Sequence, residues 1–219
     1  FGSDSAVVPD VVPGNATFSA AAESVVRIVG NAYACGQGRS GTGFVVASDR
    51  IITNAHVVAG IERPVIESLD GQVLVGRVVY FDVRDDLAVI AVTGLDATPL
   101  NKGAIARPGE TTELIGYSFG GPIVATSSTV QSTKIFNSPD IYRLGASPRQ
   151  IYTLVGQVNP GDSGGPVLNL AGDFVGIIFA RATDRMNVGY AMTVTELDPV
   201  LSSASQLTTT VSSGDCIRD

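Results

Sequence analysis

The chain contains a single histidine, His56, which stands in the segment TNAHVV. Asp86 follows it and opens the apolar run DLAVIAV, and Ser163 lies further on in the segment GDSGGP. A serine hydroxyl is a weak nucleophile at neutral pH, so it needs a neighbouring base such as an imidazole. A carboxylate bonded to that imidazole fixes its tautomer and stabilises the imidazolium. His56, Asp86 and Ser163 therefore form a candidate catalytic triad.

Each of these three residues has an ordinary explanation when it is taken alone. A lone histidine is most often a core or surface residue, the glycine-rich run is often only a turn, and an aspartate before an apolar strand is often solvated. All three residues occur together in this chain, in the order histidine, aspartate, serine, and this combination favours the triad. Unrelated triad folds carry the same groups in other orders, so the order also indicates which type of triad fold is present. One histidine and two distant cysteines do not supply a tetrahedral zinc site, and we expect no metal and no cofactor.

The composition is typical of a β-rich exported domain. Charged residues make up only 16% of the chain and tryptophan is absent. The net charge of −7 and the lack of a basic patch argue against binding to nucleic acid. No apolar run approaches the roughly 20 residues that span a bilayer, so we expect membrane contact only through a region outside this chain. Because the chain does not begin with Met, we expect a mature or excised domain with any signal or anchor upstream.

The two cysteines, Cys35 and Cys216, lie near the two ends of the predicted folded part. They are either unrelated free thiols or the partners of one disulfide. We favour the disulfide, because exported β-proteins often tie down their termini in this way. A disulfide implies an oxidising compartment.

Strand-like runs and turn-rich segments predict an all-β fold of two six-stranded antiparallel β-barrels, followed by a short C-terminal helix. Residues 1–18 are rich in Pro, Gly and Ser and are interpreted as an N-terminal surface arm. Residues 19–100 are predicted to form the first barrel, and residues 101–219 the second barrel with the helix and a tail. We expect Thr195 to cap this helix. The active site would lie in the cleft between the barrels.

The motifs SVVRI, GTGFVV, RIITNAHVV, DLAVIAV, GDSGGPVLN and GDFVGI, together with the triad order, resemble bacterial trypsin-like serine proteases of the HtrA type. The resemblance runs from about Ser24 to Pro199 and implies a chymotrypsin-like serine endopeptidase that works through an acyl-enzyme. It also implies that the N–H groups of Gly161 and Ser163 form the oxyanion hole.

Within this family the chain most resembles the acid-resistance serine proteases of mycobacteria. That resemblance implies a periplasmic domain tethered to the inner membrane and a role in acid or stress resistance of the cell envelope. The partners it implies are peptide or protein substrates in the envelope, with the protein's own chain as a further candidate substrate.

Two residues depart from the family pattern. Asp162 precedes the nucleophile where HtrA proteases commonly carry Asn, and in trypsin-like zymogens this Asp pairs with a freed N-terminus. We interpret the RIVG segment at 27–30 as part of the first strand and not as such a cleavage site. Phe179 stands where a serine usually holds the triad aspartate, so we expect Asp86 to find its hydrogen bonds elsewhere, from backbone N–H groups near His56.

The same alignment implies a primary specificity pocket. It is formed by Gln157 at the base, Gly189 on a wall, Ala180 and Arg181 at the rim, and Phe179 on the adjoining strand. No acidic residue lies at the base, so a preference for Lys or Arg is not expected and an uncharged apolar side chain is favoured.

Two other functions compete with proteolysis. The chain could be a binding module that retains a protease fold with catalysis suppressed, which labelling of Ser163 by a fluorophosphonate would test. A chaperone-like holding function has less support, because the sequence contains no peptide-binding domain after the protease core.

Overall fold

The computed structural model describes residues 16–217 of the chain. Thirteen strands and three α-helices lie in this range, and they are, in chain order, α1 Ala16–Ala22, β1 Val25–Ala32, β2 Gln37–Ala47, β3 Arg50–Thr53, α2 Ala55–Val58, β4 Val65–Glu67, β5 Val73–Val75, β6 Arg77–Asp82, β7 Leu87–Ala91, β8 Thr111–Gly116, β9 Val124–Pro139, β10 Ala146–Val155, β11 Pro166–Leu168, β12 Phe174–Arg181, β13 Val188–Thr193 and α3 Val194–Leu201. The predicted arm lies outside the described residues up to residue 15, and residues 16–18 begin α1.

The first sheet has seven antiparallel strands in the order β5-β4-β1-β2-β3-β7-β6. It forms a half-barrel, whereas we predicted a closed ring of six strands. The difference arises at Gly76, where the single predicted run QVLVGRVVYF divides into two strands. The Gly76 N–H still donates to the Pro64 carbonyl at 2.8 Å, in register with the β4–β5 ladder, whereas the next residue, Arg77, lies opposite Ala91 of β7. As a result β5 and β6 pair at opposite edges of the sheet.

The second sheet is a closed barrel of six antiparallel strands in the order β10-β13-β12-β11-β8-β9. The helix α3 packs against β12 and β13 directly after the barrel. Thr193 is its N-cap residue, so the cap lies two positions before the predicted cap at Thr195. The prediction of an all-β, chymotrypsin-like fold with a short C-terminal helix is confirmed. The boundary between the two lobes at residue 100 stays a prediction, and it falls in the connection between β7 and β8.

A hydrophobic core cluster joins the two sheets and fixes the cleft between them. Phe44 of β2 and Phe174 of β12 meet in this cluster with ring centroids 5.1 Å apart. Both rings are buried, and full burial of a large apolar side chain contributes about 1.5–3 kcal/mol. Each sheet also encloses an apolar cluster of its own. In residues 16–217, no helix combines the length and the apolar character that crossing a bilayer requires.

The predicted disulfide between Cys35 and Cys216 is present, with the two Cα atoms 6.2 Å apart. It fastens the C-terminal tail to the hairpin between β1 and β2. Hydrogen bonds also hold the tail: the Gly60 N–H donates to the Ser213 carbonyl at 3.1 Å, and the Tyr142 hydroxyl donates to the Asp215 carbonyl at 2.6 Å. The tail therefore lies against the first sheet, beside the helix that carries His56.

Candidate active site

The first sheet brings His56 and Asp86 to one edge. His56 lies in α2, which follows the end of β3, and Asp86 immediately precedes β7. The strands β3 and β7 are antiparallel neighbours, with Thr53 opposite Ala88. Because the end of one antiparallel strand lies beside the start of its neighbour, the two functional side chains meet there.

The carboxylate of Asp86 holds the imidazole of His56 by several contacts. Nδ1 of His56 lies 2.8 Å from Oδ2 and 3.0 Å from Oδ1 of Asp86, and the backbone N–H of His56 donates to Oδ1 at 2.9 Å. The aspartate side chain is 7% exposed and the histidine side chain 27%. The partner of Nδ1 is an acceptor, so Nδ1 is the ring nitrogen that donates to Asp86.

Asp86 needs no serine from the adjoining strand to stay in place. As expected, the backbone N–H of His56 supplies a hydrogen bond in place of that serine. The side-chain amide of Asn54 donates to the Asp86 carbonyl at 3.0 Å. Asp86 has a positive φ of 55°, a conformation that aspartate tolerates better than most residues. Asn54 therefore supports a backbone turn that points the carboxylate at the imidazole.

Ser163 lies on a tight turn of the second barrel, between two glycines of positive φ. The φ of Gly161 is 99° and the φ of Gly164 is 86°, and a Cβ at Gly164 would collide with the Thr42 carbonyl. The Gly164 N–H donates to the Ile178 carbonyl of β12 at 2.8 Å. Glycine is required at these positions because other residues rarely adopt a positive φ.

Thr42 of β2 connects this turn to the first sheet. Its N–H donates to the Ser163 carbonyl at 2.9 Å, and its hydroxyl donates to the Gly161 carbonyl at 2.7 Å. A Cβ at the neighbouring Gly41 would lie 2.6 Å from the Val57 side chain and 3.3 Å from the Ser163 carbonyl. The helix that carries His56 and the turn that carries Ser163 therefore both lie against Gly41 of β2.

The hydroxyl of Ser163 makes no hydrogen bond with His56 among residues 16–217. Contacts of this kind are often long before a substrate binds and tighten in the complex. The N–H groups of Gly161 and Ser163 donate to no acceptor within that range. Two unpaired N–H groups on one turn are what an oxyanion hole requires.

Asp162 stabilises the Ser163 turn by accepting hydrogen bonds from two uncharged groups. Its carboxylate accepts from the Ser118 hydroxyl at 2.7 Å and from the Asn159 N–H at 2.8 Å, and the residue is buried. Burial raises the pKa of this carboxyl above its ordinary value of 3.8, while both hydrogen bonds act in the opposite direction. The ion pairs in the described part of the chain do not include Asp162, and the RIVG segment at 27–30 lies within β1, as predicted.

The residues predicted for the specificity pocket lie around two cavities. Gln157 and Arg181 line a cavity of about 560 Å³ beside the Ser163 turn, which we call the turn cavity. Phe179 lines a second one of about 590 Å³, which we call the aromatic cavity because Phe136 and Tyr190 also line it. Ala180 and Gly189 belong to the paired strands β12 and β13, and neither lines the turn cavity or the aromatic cavity.

Sequence reasoning missed three residues that position the site, namely Asn54, Thr42 and Ser118. Asn54 and Thr42 belong to the motifs TNAHVV and GTGFVV, so their proximity to the triad was visible in the sequence. Ser118 gave no signal, because it approaches Asp162 only through the packing of the turn Ser118–Gly120 after β8.

The comparison with known proteins agrees with this geometry. A family model described as a trypsin-like peptidase domain matches residues 41–177, more than half of the chain. The chain therefore belongs to the trypsin-like peptidase family.

Among individual proteins, the chain is similar to the serine protease Rv3671c of Mycobacterium tuberculosis (strain H37Rv), at 35% identity over 206 residues, 93% of this chain and 51% of the relative. The crystal structure of the active form of that protease has a TM-score of 0.90 at 34% identity and covers 97% of this chain and 96% of that chain. Its inactive form has a TM-score of 0.78 at 32% identity, covering 90% and 98%. The backbone is thus more similar to the active form.

A probable periplasmic serine endoprotease, DegP-like, of Hahella chejuensis is 34% identical over 179 residues, 77% of this chain and 35% of the relative. The chain spans about half the length of the mycobacterial relative and about a third of this one.

Proposed function

We propose that this domain is a serine endopeptidase in which Ser163 is the nucleophile, His56 the general base and acid, and Asp86 the residue that orients the imidazole. The Ser163 hydroxyl attacks the substrate carbonyl and passes its proton to Nε2 of His56. The negative charge that develops on the carbonyl oxygen is stabilised by the N–H groups of Gly161 and Ser163. Asp86 stabilises the imidazolium through Nδ1–H.

The second half of the reaction reverses these roles. The imidazolium gives its proton to the leaving amine, which departs and leaves an acyl group on Ser163. A water molecule then attacks the acyl-enzyme while His56 takes its proton, and the imidazolium returns that proton to the Ser163 oxygen as the bond to the acyl group breaks and the second product leaves. Every proton transfer uses the same nitrogen, which the two contacts with Asp86 keep in one orientation.

The observation that carries this proposal is the contact of the imidazole with Asp86, together with a turn on which the N–H groups of Gly161 and Ser163 have no acceptor among residues 16–217. The greater similarity to the active form of the mycobacterial relative supports a formed oxyanion turn. A fluorophosphonate probe tests it, because the probe reacts only with an activated serine. We expect stoichiometric labelling at Ser163 and none in Ser163→Ala. An unlabelled wild-type protein would favour the alternative, a binding module with suppressed catalysis.

We propose that the turn cavity, with Gln157 and Arg181, receives the substrate side chain next to the scissile bond. Val158 and Asn159, in the segment that leads to Gly161, are among the other residues that line it. The remaining predicted pocket residues, Ala180 and Gly189, would act through the backbone of β12 and β13. Mass-spectrometric sequencing of peptides cleaved from a proteome-derived library would identify the preferred residue.

We also propose that the domain works in the periplasm on peptides or proteins of the cell envelope, tethered to the inner membrane by a segment outside this chain. The disulfide and the relative described as periplasmic support an extracytoplasmic site. A role in acid or stress resistance, and cleavage of its own chain, belong to the same proposal. Survival of a deletion strain at acidic pH, with and without a Ser163→Ala copy of the gene, tests that role.

A further inference from the structure

The aromatic cavity adjoins the nucleophile turn. Phe179, on its wall, directly follows Ile178, whose carbonyl accepts from the Gly164 N–H at 2.8 Å. At the opposite end the cavity reaches Pro139, the last residue of β9. The hairpin after Pro139 contacts the segment before Asp86, since the Ile141 N–H donates to the Val83 carbonyl at 3.2 Å. The cavity therefore lies between the Ser163 turn and the Asp86 side of the cleft.

Basic side chains surround the aromatic cavity. Lys134 and Arg185 line it, and its lining contains no aspartate or glutamate. The hydroxyl of Tyr190 accepts from Arg185 at 2.8 Å and holds that guanidinium in place. Asp184, on the same loop, lies 3.9 Å from Arg185 and is 80% exposed, so its attraction is strongly screened by water. The side chains that face the cavity thus present a net positive charge.

A third cation lies beneath the cavity wall. The Arg149 residue is only 2% exposed, and its guanidinium carbon lies 5.7 Å from the centroid of the Phe179 ring. One Nη donates to the Pro139 carbonyl at 2.6 Å, while Nε has no hydrogen-bond partner among residues 16–217. The other Nη donates to Sδ of Met192 at 3.9 Å. Neither of these two partners is a carboxylate, although a buried charge is costly unless it is paired.

This concentration of cations runs against the composition of the chain. The sequence has 21 acidic and 14 basic residues, so a random surface would carry more carboxylates than cations. A bound carboxylate would reduce the unfavourable energy of the buried Arg149, and it would find a positive rim in Lys134 and Arg185. Its hydrocarbon stem would pack on the rings of Phe136 and Phe179.

We infer that the aromatic cavity binds an acidic side chain of the substrate, two to four residues N-terminal to the scissile bond. This inference rests on the proposed function. The turn cavity beside Gly161 takes the residue next to the scissile bond in that proposal, and Arg185 lines both cavities. The aromatic cavity therefore adjoins the turn cavity at Arg185, where a side chain further along the bound substrate can enter it. Lys134 and Arg185 are the specificity-determining residues.

Matched fluorogenic peptides test the inference. The pairs differ only by Glu or Gln at the second, third or fourth residue before the cleaved bond. At one of these positions we expect the Glu peptide to have a kcat/KM at least about fivefold higher, through KM, as for a partly exposed ion pair. The advantage should shrink at high salt because the rim charges are screened. In the double variant Lys134→Gln, Arg185→Gln it should disappear. Arg63→Gln, an exposed cation that lines neither cavity, is the matched control and should retain it.

The same peptides are also bound to the Ser163→Ala protein and followed by fluorescence anisotropy, so that recognition is measured without turnover. A preference for Glu that depends on Lys134 and Arg185 supports the inference. Equal binding of Glu and Gln peptides at all three positions overturns it, as does a preference that survives the double variant. Failure of the proposed function has a different signature, since the wild-type protein would then bind peptides but neither cleave them nor react with a fluorophosphonate.

Discussion

Removing the hydroxyl of Ser118 should loosen the oxyanion turn without touching the triad. In Ser118→Ala the carboxylate of Asp162 keeps only the Asn159 N–H as a donor, because the other donor is the lost hydroxyl. A hydrogen bond to a charged group contributes about 1.5–3 kcal/mol, and a buried carboxylate that loses one is destabilised by the whole of that amount. If the cost falls on the formed turn, kcat/KM should drop by about 10- to 150-fold, with the loss in kcat.

The same variant should show a pH-dependent loss of stability. Burial raises the pKa of Asp162 above 3.8, and the Ser118 hydroxyl is one of the groups that lower it. A carboxyl whose pKa is raised on folding binds protons more tightly in the folded state, so stability falls as pH rises from 3.8 through the raised pKa. Without the hydroxyl the folded pKa rises further and the fall is larger. The deficit of Ser118→Ala should therefore be greatest near neutral pH and shrink in acid.

Urea unfolding of both proteins at about pH 7 and about pH 4, together with steady-state kinetics, measures the two effects. Ser118→Thr keeps a hydroxyl and should restore most of the activity. Asp162→Asn is a second control, because its amide can accept from the Asn159 N–H and donate to the Ser118 oxygen. In that background Ser118→Ala should cost less. A deficit that is equal at both pH values, with kcat unchanged, would refute the reasoning.

Three further outcomes are expected. Ser163→Ala should abolish peptide hydrolysis with an unchanged circular dichroism spectrum, and His56→Ala added to it should cost little more, because triad members act as a unit; substantial turnover by the single variant would contradict the triad. Asp162→Asn alone should retain activity and stability at neutral pH, since both contacts of the carboxylate can be replaced by an amide; thermal unfolding and kinetics check it. Reduction of the Cys35–Cys216 disulfide should lower the free energy of unfolding by up to about 5 kcal/mol, because the disulfide closes a loop of 181 residues. Calorimetry with and without reductant measures the change, and an unchanged melting temperature would count against a stabilising role of the disulfide.

The sequence was most informative where a local pattern carries the chemistry. The segments around His56, Asp86 and Ser163 are short, and each can be recognised from its local sequence without knowledge of the fold. The structure brings His56 into contact with Asp86, as the motifs predict. Alternating or continuous apolar runs also identified most strands. The second half of β9, QSTKIFNSP, was missed because its side chains are mostly polar and exposed, so no periodic apolar face marks it.

Features created by tertiary packing could not be predicted in this way. The division of one apolar run at Gly76 depends on which edge each half finds, and β5 and β6 pair with strands far apart in the sheet. The support of Asp162 by Ser118 joins residues 44 positions apart that share no motif. The cations around the aromatic cavity come from separate strands and a loop, so only the folded chain shows them together.

Thr42 gives the two lobes a common reference point. Its N–H and hydroxyl bind the Ser163 turn, its hydroxyl oxygen accepts from the Tyr117 N–H at 3.0 Å, and its carbonyl accepts from the Thr53 hydroxyl at 2.7 Å. Thr53 is the last residue of the strand that leads to His56. The positions of His56 and Ser163 are therefore linked through a single residue of β2, in addition to the hydrophobic core that joins the two lobes. A protein built this way can vary its outer loops and its surface charge widely while the working distance between its two halves stays the same.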